Sequence, residues 1–142
     1  MIPNPFGPYE EERFTSFLAR QWLEEKQAPV AFPAYIRDNI HVSLLAKAYA
    51  AFAEKLPATK GFSKVNPSQY VESQGEFTAR FANELRPRFG LPCAYVLHSQ
   101  ETFTEPQKRV NTEPVDKAAL HWNEQKAWDD LATYYTTKYR KL

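Results

Sequence analysis

The sequence predicts an α/β fold, α+β for the piece taken alone, with about four helices and three short strands in alternation. Three observations carry that expectation. Four segments repeat apolar residues at three- and four-residue steps, short extended runs separate them, and prolines and capping residues mark the boundaries. At 142 residues the chain is one domain at most and long enough to bury a core, so residues 1–142 are read as one unit.

The opening Ile2-Pro3-Asn4-Pro5-Phe6-Gly7-Pro8 holds too many prolines for helix or interior strand. A helix is expected from Glu11 to Lys26: Phe14, Phe17, Leu18 and Trp22 share a face, and Glu10, Glu11 and Glu12 suit a first turn. Ala28-Pro29 ends it. Val30 to Val42 reads as extended, broken at Pro33, with Tyr35 to His41 the better strand. Ser43 is placed as the cap of a second helix, with Leu44, Leu45, Ala48, Tyr49, Phe52 and Leu56 on one face and Pro57 at its end.

Lys64 to Asn66 reads as a short strand turning at Pro67. Ser73-Gln74-Gly75-Glu76 has the form of a capping box, ahead of a helix carrying Phe77, Phe81 and Leu85 that Pro87 and Gly90 terminate. Pro92 to His98 is the third strand. Asn123 caps the last helix, whose face is Ala127, Trp128, Leu131, Ala132, Tyr135 and Tyr139.

Composition excludes several function classes. Eighteen basic and seventeen acidic residues leave a net charge of +1, and clusters such as Arg86-Pro87-Arg88 are short, so no nucleic-acid partner is expected. No run of about 20 apolar residues is present and the start has no leader pattern, so neither membrane nor secretion is expected. The single cysteine, Cys93, lies in an apolar run, reads as a buried filler and fits a reducing cytoplasm.

Titratable residues suggest no catalysis by themselves. His41, His98 and His121 have no metal-ligand spacing, so no metal is expected, and His41 reads as a satisfied strand histidine. Ser43 and Ser73 have capping roles. Gly7, Gly61, Gly75 and Gly90 are too scattered to cradle a dinucleotide phosphate. Tyr134 and Lys138, four apart, read as surface helix residues.

Two stretches nevertheless carry a likeness: Asn4-Pro5-Phe6-Gly7-Pro8, and Arg37-Asp38-Asn39-Ile40-His41-Val42. In that order they resemble the C-terminal, substrate-side portion of the extended short-chain dehydrogenase/reductases, the NAD-dependent sugar-nucleotide epimerases and dehydratases. The resemblance implies a substrate-side region without its Rossmann half, since the parts of such enzymes that bind NAD and move hydride lie upstream. It implies NAD as cofactor of the complete protein, none for this chain alone, and no catalytic residue here. Three residues would hold a phosphate-bearing sugar. Asn4 would reach into the cleft with two donors and an acceptor, although Asn before Pro also simply shapes a turn. Arg37 would bind a diphosphate through paired, always-charged donors, the bland reading being a pair with Asp38 or a solvated strand edge. Arg109 would add a second cation, with a solvated Lys108-Arg109 loop as its competitor.

Two departures bear on the ligand. The segment between Asn4 and Arg37 is short for a sugar-nucleotide enzyme, which favours a smaller or differently held ligand. Met1 stands where the family has Arg. The expected partner is the upstream Rossmann domain or a second copy of the chain, because three short strands would leave apolar surface uncovered. A rival reading is a self-standing, non-catalytic binding or scaffold module that lost the cofactor half; a chance motif match in an α/β interaction domain is a third. An in-frame glycine-rich turn and Tyr-x-x-x-Lys upstream of Met1 would favour the enzyme fragment over the module.

Overall fold

A computed structural model describes residues 3–56, 61 and 64–140. Met1, Ile2 and the expected helix stop at Pro57 lie outside the described residues. The element order is β1 (Asn4–Phe6), α1 (Phe14–Leu23), β2 (Ala28–Val30), β3 (Ile36–His41), α2 (Val42–Lys55), β4 (Pro67–Ser68), β5 (Tyr70–Ser73), α3 (Gln74–Phe89), β6 (Tyr95–Leu97), β7 (Lys108–Arg109), β8 (Glu113–Pro114) and α4 (Glu124–Tyr139). The α/β class and four helices agree with the sequence. The strands do not: eight short ones are described, because two- and three-residue strands are made by pairing and leave no periodic trace.

The fold is organised around β3. It pairs in parallel with β1 through Asn39, Ile40 and His41, antiparallel with β5 through residues 36–39, and in parallel with β7 through Ile36 and Arg37. A strand has two edges. Asn39 is shared by β1 and β5, while Ile36 and Arg37 are shared by β5 and β7. Strands β1 and β7 must therefore lie end to end along one edge of β3, with β5 on the other. Two further parallel pairs, β2 with β6 and β4 with β8, sit outside this sheet.

The first helix starts later than expected. Glu10 folds back, one carboxylate oxygen accepting the Gly7 N–H at 2.6 Å and the other the Tyr135 hydroxyl at 2.6 Å, so the chain stays in a turn. The glutamates precede the helix, which begins at Phe14. It ends at Glu24 and Glu25, the latter at φ 59°, and Ala28-Pro29 opens β2. Ser43 is likewise not the cap of α2. His41 is, because β3 runs straight into the helix and the His41 Nδ1 accepts the Ser43 N–H at 3.1 Å.

The Ser73–Glu76 capping box is present in both directions, at 3.1 Å each. Pro87 does not end α3; the helix runs on to Phe89, whose ring is buried, and Gly90 closes it in the left-handed region at φ 66°. The expected strand at 64–66 falls instead at Pro67–Ser68, and the third expected strand shrinks to Tyr95–Leu97. Asn123 caps α4 as expected, its side-chain oxygen accepting the Lys126 N–H at 2.9 Å.

Much of the aromatic content is spent inside. Phe81 has the rings of Phe6, Trp22, Phe77, Trp128 and Tyr135 around it at centroid distances of 5.6–6.1 Å. Such pairs add about 0.5–1.5 kcal/mol each beyond area burial. Helices α1, α3 and α4 thus close a core with β1 and β5. Helix α2 is different. Leu44 and Ala48 are buried, but Tyr49 and Leu56, on the same expected face, are exposed.

Candidate functional site

Alternation along β3 sends Arg37 and Asp38 to different tasks. Both are buried, Arg37 at 7% exposure and Asp38 at 2%. Asp38 does not pair with Arg37. Its two oxygens accept the Gln69 N–H at 2.9 Å and the Asn111 N–H at 3.1 Å, tying two loops to the strand. The Arg37 guanidinium donates from Nη1 to the carbonyls of Ile36 (2.9 Å) and Gln107 (3.1 Å), and Nη2 reaches Glu105 at 3.5 Å. It also lies over the Tyr35 ring, 4.4 Å from the centroid.

Arg37 and Asn4 face the same cavity, of about 500 Å³. Its walls include Phe14 and Phe17 from α1, Phe32 and Tyr35 from the approach to β3, and Gln74 at the start of α3. Glu105 closes one side. Two neighbouring hollows share Asn4 with it, one also lined by Gln74 and Arg13 and the other by Tyr9 and Arg13. Asn4 is exposed at the end of β1 and lines each of these spaces. Aromatic walls with a few convergent polar groups are what a small-molecule site requires.

Arg109 does not line the cavity. It stands in register with Arg37 on the neighbouring strand β7, and its guanidinium lies 4.0 Å from Glu105. The carboxylate of Glu105 therefore sits between two arginines. The sequence offered no sign of Glu105 or of Tyr35. The Tyr35 hydroxyl accepts the N–H of Thr104 at 3.0 Å and of Glu105 at 3.3 Å, and the Phe103 ring meets it edge-on at 5.4 Å. A hydrogen bond with the Thr104 hydroxyl, the largest cause, and the bonds from these two N–H groups lower the pKa of the phenol. Gln74 could have been suspected from its place inside a capping box; its amide oxygen accepts from Asn39 at 2.9 Å.

His41 is buried, but it is not fully satisfied. Because Nδ1 accepts from Ser43, the ring proton belongs on Nε2, which has no hydrogen-bond partner among the described residues. Burial pulls its pKa down to about 4, offset only in part by Asp130. The Cys93 thiol is buried and pushed up to about 11 by desolvation, with no base to activate it. Lys138 donates to Tyr134 at 3.2 Å on the exposed face of α4. Among the described residues no cluster could hold a metal ion, and no helix is long and apolar enough to cross a membrane.

The architecture is that of the C-terminal part of sugar-nucleotide epimerases, the fold that the two motifs implied. The chain superimposes on the UDP-glucuronic acid 4-epimerase of Bacillus cereus, solved with UDP-glucuronic acid and NAD, with a TM-score of 0.63 and 15% identity over 97% of this chain and 44% of that one. For the UDP-glucose 4-epimerase of Thermotoga maritima, solved with UDP-glucose, the TM-score is 0.61 at 17% identity, over 96% and 44%. RMD of Pseudomonas aeruginosa, solved with NADPH, gives 0.61 at 16%, over 95% and 46%. The chain thus spans less than half the length of the structures it matches. No protein-family model and no curated protein sequence matches it.

Proposed function

We propose that this chain is the substrate-side domain of an NAD-dependent epimerase- or dehydratase-like enzyme, acting on a sugar nucleotide or a related phosphate-bearing sugar. The observation that carries the reading is the convergence of Asn4 and Arg37 on one aromatic-walled cavity. Asn4 sits where an amide can bond a sugar hydroxyl or phosphate oxygen. Arg37 supplies the buried cation, fixed by backbone carbonyls so that little is lost in ordering it. Arg109 adds charge behind Glu105, 4.0 Å from its carboxylate. In the complete enzyme, an upstream nucleotide-binding domain holds NAD, which takes hydride from a sugar carbon and returns it or assists dehydration. The partner of this chain is that domain or a second copy, and the setting is cytoplasmic.

No turnover and no NAD binding are expected of residues 1–142 alone. Weak binding of phosphate-bearing sugars is, and amide NMR titration with glucose 1-phosphate and UDP-glucose tests it. Shifts should map to Asn4, Tyr35, Arg37 and Gln74. Arg37→Ala removes a charge-assisted contact of about 1.5–3 kcal/mol and should weaken binding at least about tenfold. Unchanged affinity in that variant, or shifts confined to a different face, would overturn the reading.

A further inference from the structure

We infer that Glu105 is the residue that sets the charge preference of the cavity. Its carboxylate is a built-in anion at the place where a phosphoryl group would go, and a bound phosphoryl group must displace it. The inference rests on the proposed sugar-phosphate site and names what tunes it.

Position is the first ground. The two oxygens of Glu105 face different arginines, Oε2 lying 3.5 Å from Arg37 Nη2 and Oε1 4.0 Å from Arg109 Nη1. Both distances are long for an ion pair that had settled on one partner. The group bridges two cations, as a phosphate would, without binding either tightly. The side chain is 54% exposed while the Arg37 side chain is 8% exposed. The anion can swing out into water; the cation cannot.

Attachment is the second ground. The loop carrying Glu105 is fastened through its backbone: the Tyr35 hydroxyl holds the N–H groups of Thr104 and Glu105, and the Gln107 carbonyl accepts from the Ile36 N–H at 2.8 Å and from Arg37. None of these bonds uses the Glu105 carboxylate. The loop can keep its place while the side chain changes rotamer, so displacement by a ligand leaves the wall intact.

Charge is the third. With Glu105 present, Arg37 and Arg109 leave one net positive charge at this end of the cavity; without it they leave two. A phosphate meets the repulsion of the carboxylate until it leaves, whereas a neutral sugar hydroxyl can donate to that carboxylate directly. The native residue therefore lowers affinity for phosphate and favours ligands with little charge at this position.

The test compares residues 1–142 with the Glu105→Gln and Glu105→Ala variants, using glucose 1-phosphate, inorganic pyrophosphate and methyl glucoside as probes. Circular dichroism confirms the fold, which the backbone anchors should maintain in both variants. Expected is a gain of about tenfold in affinity for the two phosphate probes in both variants, with methyl glucoside unchanged or weakened. Phosphate probes that bind all three proteins equally, or bind the variants more weakly, would overturn the role of Glu105 and leave the sugar-phosphate site standing. Absence of binding by any probe to any of the proteins would overturn the site, and the inference with it.

Discussion

Replacing Asp38 should unfold this protein more readily than its size suggests. The carboxylate is 2% exposed and accepts two main-chain N–H groups, from Gln69 at 2.9 Å and from Asn111 at 3.1 Å. A hydrogen bond to a charged group contributes about 1.5–3 kcal/mol, and a buried donor left without its acceptor adds a desolvation cost. Asp38→Ala strands both donors, so a loss of about 3–6 kcal/mol is expected. Set against a total of about 5–15 kcal/mol for a typical domain, that removes much of the reserve. Asp38→Asn keeps one acceptor oxygen but turns an amide N–H₂ on the other donor, and should fall between alanine and the parent. Asp116 provides the control. It accepts the Ala119 N–H at 3.0 Å, but on the surface, so Asp116→Ala should cost about 1 kcal/mol or less. Urea unfolding followed by tryptophan fluorescence measures all three. Asp38 variants within about 1 kcal/mol of the parent would mean that water or another group satisfies the two N–H groups, and the reasoning would fail.

Two further outcomes follow from the backbone and from titration. Because the His41 pKa is depressed to about 4, the unfolded chain takes up a proton below its ordinary 6.5 that the folded protein refuses. The stability that this provides is complete above pH 6.5 and is lost as the pH falls towards 4, by about 3 kcal/mol; urea midpoints between pH 7.5 and 4.5 should show it, and His41→Asn, which can still cap α2, should flatten the slope. A Cβ on Gly7, at φ 133°, would lie 2.7 Å from the Val42 Cγ2, whereas one on Gly90, at φ 66°, would meet open space. Gly7→Ala should therefore cost about 2–3 kcal/mol and Gly90→Ala only about 1, and equal melting temperatures for the two would refute the steric argument.

What the sequence revealed was local. The Ser73–Glu76 box, the Asn123 cap and the apolar face of α4 depend on residues within a turn or two, and each is where the letters put it. Errors arose where the deciding partner is remote. Glu10 looks like a helix start until Tyr135 claims its carboxylate from the far end of the chain. Ser43 is a good cap by type, but β3 delivers His41 to that position first. Strand β1 exists because β3 lies beside it. Arg37 and Asn4 were legible as candidates through their motifs, and they share a cavity. Glu105 and Tyr35 were not, since a loop that docks by its backbone leaves no pattern in its side chains. The bland alternative for Arg37, a pair with its neighbour Asp38, is not formed, because adjacent strand residues point to opposite faces.

Consider finally what the two collinear strands on one edge of β3 mean for the order of assembly. Strand β5 docks on β3 with pairings some 30 positions apart, such as Asn39 with Tyr70, whereas Arg37 finds Gln107 only across 70. Longer closures cost more chain entropy and are made later when the shorter ones are already in place. Strand β7 adds only two residues to the sheet, and the segment before it is anchored by the Tyr35 hydroxyl and the Ile36 N–H. The segment that brings Glu105 to Arg37 is thus expected among the last pieces to settle, and amide protons around residues 104–109 should exchange through an opening that spares the helical core. A binding site finished by a two-residue strand that closes across 70 positions can be completed by a ligand as well as by the fold.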